Sequence, residues 1–218
     1  MGDFDFQVVV KSLPFLWQGL QMSLLLTFLA MLGGIIAGTV LALMRLSGVL
    51  PLSLFAATYV NLIRSIPLIL VIFWFYFLVP LALGRPIGSF YSALIAFTLF
   101  EAAYFSEIMR AGIQSVRRGQ VQAGRATGLS YMQVQGYIVL PQAFRNMIPI
   151  LVTQGIILFQ DTSLVFVVSL RDFMTVSSIV ARTEGRLIEM YVFAALVYFV
   201  ICFSGSLFVR RLQGARKA

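Results

Sequence analysis

The chain has 218 residues, 60% of them hydrophobic and only 11% charged, with a formal net charge of +8 and no histidine. Soluble globular domains carry about one quarter charged residues, so this composition excludes a water-soluble fold and points to lipid as the solvent. The absence of histidine and the single cysteine, Cys202, also exclude histidine-based catalysis, a His/Cys metal centre and an intrachain disulfide.

The first apolar stretch is free of charge from Ser12 to Met44, long enough to cross a hydrocarbon core as a helix, which takes about 20 residues. It is preceded by the acidic residues Asp3 and Asp5 rather than by the basic start of a secretory signal, so it is predicted to be a retained span. Five spans are predicted in all, at 15–44, 53–79, 89–109, 147–169 and 188–209. Within the first, Gly34-x-x-x-Gly38 forms a flat strip predicted to serve packing inside the chain. Arg64 interrupts the second run and Asp161 the fourth. Pro51, Pro80 and Pro86 punctuate the short connections.

The basic residues are scattered among the spans, which argues against a nucleic-acid surface and for membrane orientation. With the N-terminus outside, ten fall inside: Arg45, Arg110, Arg117, Arg118, Arg125, Arg145, Arg210, Arg211, Arg216 and Lys217. Five fall outside: Lys11, Arg85, Arg171, Arg182 and Arg186. Lys and Arg near span ends favour the cytoplasm, so the chain is predicted to run N-out, C-in as an all-α membrane protein. The longest non-spanning piece, about 112–146, is then cytoplasmic, and its interleaving of Val121, Ala123, Ala126, Leu129, Met132 and Val134 with polar residues predicts short amphipathic helices.

That loop contains Gln122-Ala123-Gly124-Arg125-Ala126-Thr127-Gly128, followed after nine intervening residues by Ile138-Val139-Leu140-Pro141. Gly128 is suited to ending a helix in a left-handed conformation, and Pro141 to halting or redirecting the next. The pattern resembles the EAA loop of ABC importer permeases, although that family opens with Glu-Ala-Ala where this chain has Gln122-Ala123-Gly124. The resemblance extends through Arg64-Ser65-Ile66-Pro67-Leu68, Phe100-Glu101-Ala102-Ala103-Tyr104, Glu107-Ile108-Met109-Arg110 and Gln160-Asp161-Thr162-Ser163-Leu164. Together these identify the chain as similar to the polar amino-acid permeases, most of all to those of glutamate/aspartate importers.

The resemblance implies one transmembrane permease domain over 1–218, in a bacterial inner membrane, that binds partner ATPases through Gln122, Ala123, Gly124, Arg125, Ala126, Gly128, Leu140 and Pro141. It further implies two ATPase subunits, a second permease chain that is either identical or a paralogue, and an extracytoplasmic amino-acid-binding protein. The chain has no Gly-x-x-x-x-Gly-Lys-[Ser/Thr] loop, so it is expected to have no catalysis or cofactor of its own, with ATP and Mg held by the ATPases.

A charged side chain at mid-bilayer costs about 2.5–3.5 kcal/mol on insertion scales, so each is expected to face protein or water. Arg64 binds a substrate carboxylate through its planar fork, pairs with Asp161 or Glu101, or lies near the cytoplasmic interface. Glu101, Gln160, Asp161, Thr162 and Ser163 are the remaining pathway candidates, with Thr162 and Ser163 equally suited to satisfying the backbone of a broken helix. Glu107 and Arg110, three apart on a helix, are expected to form a local salt bridge. Two competing readings remain open at this stage: an ion-coupled transporter, which would need its own coupling sites and usually repeats, and a membrane scaffold without a transport path.

Overall fold

The computed structural model describes residues 6–214; Asp3, Asp5, Arg216 and Lys217, which entered the charge count, lie outside them. Among the described residues the fold is all-helical, with four helices long and apolar enough to cross a membrane and one bent pair that can serve as a fifth span. The long helices are α1 (Gln7–Leu46), α4 (Ser89–Gln114), α6 (Tyr131–Val168, its last residues Thr162–Val168 wound as 3-10) and α8 (Leu187–Gly214). The bent pair is α2 (Leu50–Arg64) and α3 (Leu68–Leu83); α5 (Arg118–Ala126) and α7 (Phe173–Thr183) are short.

Helix α1 has 40 residues and α6 has 38. At about 1.5 Å per residue both approach 60 Å, twice the roughly 30 Å hydrocarbon core, so each tilts or projects beyond the bilayer. The second predicted span, 53–79, is not one straight helix: α2 and α3 meet at 104°. The cause is local. Pro67 has no N–H to donate and holds extended backbone at the start of α3, which leaves Ser65 to close α2.

The predicted fourth span, 147–169, likewise falls short. Helix α6 begins at Tyr131, so the second half of the expected loop is a continuation of the span. Pro141 does not halt it. A π turn at Gln135–Val139 precedes the proline, with the Leu140 N–H bonded five residues back to Gln135, and the helix continues past the missing donor. The same device appears in α3, where a π turn at Trp74–Leu78 precedes Pro80.

Three buried apolar clusters hold the helices. One joins the middles of α1, α3, α4 and α6 through Leu26, Ile72, Phe97 and Leu158. A second joins the start of α1 to α7 and α8 through Leu16, Phe173 and Met190. The third joins the end of α1 and α4 to the base of α6 through Ala42, Met109, Val134 and Met147, with Val121 of α5 packed against it. Helices α1 and α4 meet along the predicted glycine strip: a methyl group on Gly38 would lie 2.9 Å from both the Ala102 carbonyl oxygen and the Ser106 nitrogen. Backbone cannot yield as a side-chain end can, so glycine here sets the distance between the two spans.

Candidate coupling loop and intramembrane polar residues

Residues 115–130 form a helix and two turns between α4 and α6. Helix α5 ends in a Schellman motif: the Gly128 N–H bonds to Arg125 O at 3.0 Å and the Leu129 N–H to Gly124 O at 3.2 Å. This closure requires a left-handed residue, and Gly128 has φ +84°. Two residues on, Ser130 and Gln133 form a reciprocal capping box that starts α6. The sequence therefore writes the stop of one helix and the start of the next into Gly128-Leu129-Ser130.

The loop is pinned to the spans from one side only. Gly124 is the buried residue of α5, and a methyl group there would meet Ile138 Cδ1 and lie 3.3 Å from Val134 Cγ2. Asn146 of α6 donates to Ser115 Oγ at 2.8 Å, and Gln142 Nε2 reaches Gln120 Oε1 at 3.4 Å. Gln122, Ala123, Arg125 and Ala126 are exposed, as are Leu140 and Pro141. Tyr131, Met132 and Tyr137 add large exposed side chains beside them. The departure from Glu-Ala-Ala falls on both faces: Gln122 is outward, and Gly124 is the inward contact that lets α5 lie close to α6.

Toward the end of α4, before this loop, lies an arginine-rich cluster on one carboxylate. Arg45 at the end of α1 pairs with Glu107 Oε1, and Arg110 Nη2 with Glu107 Oε2 at 2.6 Å. Arg64 Nη1 at the end of α2 stands 3.8 Å from Glu107 Oε1. The predicted Glu107 and Arg110 pair is thus half of a larger junction. The structure corrects the partner expected for Arg64: it is Glu107, not Asp161 or Glu101, and its guanidinium also lies over the Tyr104 ring at 5.2 Å. Arg64 is the most exposed of the four, at 41% of its side chain against 17% for Glu107.

Glu101 is fully buried on α4, and both its carboxylate oxygens accept from Gln154 Nε2 of α6, at 3.2 and 3.0 Å. Asp161, half-buried, closes the α-helical part of α6. Thr162 turns its hydroxyl to Phe159 O at 2.7 Å, tying down a backbone carbonyl where α winding gives way to 3-10. Gln160 is exposed and Ser163 half-buried. The pathway candidates therefore divide between Arg64 with Glu107 at one place and, at another, Glu101 with Gln154, which lies within electrostatic reach of Asp161 in the Gln160 to Ser163 helix transition. Arg45 and Gln154 entered the sequence reading only as a topology charge and as part of a span. A lone glutamine in the apolar run from Met147 to Phe159 was the available signal for the latter.

A family model described as a binding-protein-dependent transport system inner membrane component matches residues 30–217. The glutamate/aspartate import permease protein GltK of Escherichia coli O6:H1 is 50% identical over 220 residues, covering 98% of each chain. The probable glutamine ABC transporter permease protein GlnP of Bacillus subtilis is 37% identical over 93% of this chain and 94% of its own. Among solved structures, the crystal structure of an amino acid ABC transporter with histidines superposes with a TM-score of 0.89 at 34% identity, covering 95% of this chain and 98% of that one. On a match that takes in the glycine strip, the broken second span, the arginine cluster and the loop alike, the chain belongs to the family of binding-protein-dependent transport system inner membrane components.

Proposed function

We propose that this chain is the permease subunit of an ATP-driven importer of acidic amino acids, glutamate or aspartate, working by alternating access. The observation that carries the substrate class is the 50% identity to a glutamate/aspartate import permease over 98% of both chains. The whole of 1–218 acts as one permease domain. Two ATPase subunits, which bind ATP and Mg, dock on the exposed face of α5 around Gln122, Ala123, Arg125 and Ala126 and on Leu140 and Pro141. An extracytoplasmic binding protein delivers the amino acid, and a second permease chain, identical or a paralogue, completes the pathway.

Movement of the ATPases reaches the spans through the packing of Gly124 on Val134 and Ile138 and through the third apolar cluster, which ties α5 to α1, α4 and α6. Such coupling needs two arrangements with different contacts, which a cluster of three arginines sharing one glutamate can supply. Arg64, the most exposed guanidinium of the three, is the one we assign to exchange Glu107 for a substrate carboxylate, a reading its exposure supports.

The test is uptake of labelled amino acids into proteoliposomes holding the complex purified with its natural neighbours. Glutamate and aspartate should accumulate only with ATP, Mg and the binding protein present. Uptake of glutamine in their place would overturn the acidic assignment, and accumulation driven by an ion gradient without ATP would restore the secondary-transporter reading.

The orientation rests on the ten-to-five asymmetry of Lys and Arg. Reporters fused after Gly48, Arg118 and Lys217 should read cytoplasmic, and those placed within 81–88 and 172–186 extracytoplasmic. A cytoplasmic signal from 172–186 would overturn the N-out, C-in layout.

A further inference from the structure

Helix α7 buries Phe173, Val176, Ser177, Val180 and Ala181 and turns the opposite face to a cavity of about 390 Å³. That face carries Thr175, Ser178 and Arg182, a polar stripe at i, i+3 and i+7, and the far wall is Ser163 and Phe166 of the 3-10 stretch with Tyr191 of α8. The volume is at the small end of ligand pockets, which run from about 300 to 1,000 Å³.

Among the described residues Arg182 is the only charged side chain lining it, and none of the salt bridges they form engages it. The hydroxyls sort by what they already do. Thr175 donates to Asp172, so only its lone pairs face the cavity. Ser178 accepts from Tyr191 at 3.3 Å, which leaves its own O–H to give. A guanidinium fork with a serine donor beside it and an aromatic wall opposite is a receptor for a carboxylate on a short apolar stem.

We propose that this cavity is an outer subsite that holds the side-chain carboxylate of an acidic amino acid against Arg182 and Ser178, next to the Asp161 to Ser163 transition. The inference rests on the acidic substrate class proposed above. Among the described residues no carboxylate lines the cavity to hold an ammonium group. An α-carboxylate, with its ammonium two bonds away, is therefore received less well than the remote carboxylate of the side chain, because the ammonium is repelled by Arg182.

A thiol placed in the wall by Ile179→Cys, in the full purified complex with Cys202→Ala, reports occupancy through its rate of modification by a polar maleimide. Glutamate and glutarate should both slow that modification, and glutamine should not. Adding Arg182→Gln should raise the half-protecting glutamate concentration by about tenfold, the weight of one charge-assisted pair, and Arg182→Lys should fall between. Modification at one rate with and without glutamate, no modification at all, or equal protection by glutamine would each overturn the subsite. Failure of the wild-type complex to take up glutamate would instead overturn the acidic-importer reading, so the two are separable.

Discussion

Glu107→Ala is expected to remove most of the folded complex from the membrane, because it leaves three guanidiniums facing one another with no anion between them. Breaking a buried ion pair costs about 3–5 kcal/mol. The partial exposure of this cluster, 17% for Glu107 and 20% for Arg45, places the effect near the lower end, about 3 kcal/mol. That is still a large share of the roughly 5–15 kcal/mol that separates folded from unfolded states. Assembled complex, measured by gel filtration against wild type, should fall several-fold, and glutamate uptake with it. Glu107→Gln together with Arg45→Gln should recover part of the loss by removing one of the stranded charges. Wild-type yield from Glu107→Ala would show that the arginines are satisfied by water or lipid instead.

What could be read from the sequence follows from which interactions are local. The span count, the glycine strip and the turn at Gly128 depend on composition, on a four-residue spacing and on one residue's φ, and each was legible. The ends of the second and fourth spans were not, because hydropathy does not register a 104° bend at Pro67 or a π turn that carries α6 past Pro141. Periodicity also stops being useful where a helix leaves the bilayer: residues from Tyr131 to Asn146 are polar enough to look like a loop and are still helical.

The pairing of the charges was the least legible part. Arg64 and Glu107 are 43 positions apart, and the sequence offers Glu101 and Asp161 as partners for Arg64 while Glu107 reads as the local partner of Arg110. The choice among them is made by the bend after α2, which sets Arg64 beside Tyr104 and Glu107. Glu101 is withdrawn from the competition by Gln154, a neutral donor that charge-based reasoning passes over. The wall of the α7 cavity was illegible for the same reason, since Arg182 entered the sequence reading only as one of the outer charges.

Gly128→Val is expected to uncouple the amino-acid ABC permease while leaving its insertion intact. At φ +84° a β-branched residue is strained by about 1–3 kcal/mol, and there is otherwise open space around the position, so the strain arises from the backbone and not from a clash. The chain can relieve it by giving up the Schellman bonds from Gly128 to Arg125 and from Leu129 to Gly124, which frays the end of α5 and displaces Ala126 and Arg125 from the face proposed to dock the ATPases. The spans share little of this strain, since the first two apolar clusters lie elsewhere and only Leu129 and Val121, packed against the third, adjoin the turn. Complex yield should stay within about twofold of wild type, whereas glutamate uptake and its stimulation of ATP hydrolysis should drop by about tenfold, as 1.4 kcal/mol of lost coupling would give. Gly128→Asn, which accepts left-handed backbone more readily, should retain most of the activity. If Gly128→Val transports and hydrolyses ATP like wild type, α5 does not carry the signal from the ATPases to the spans.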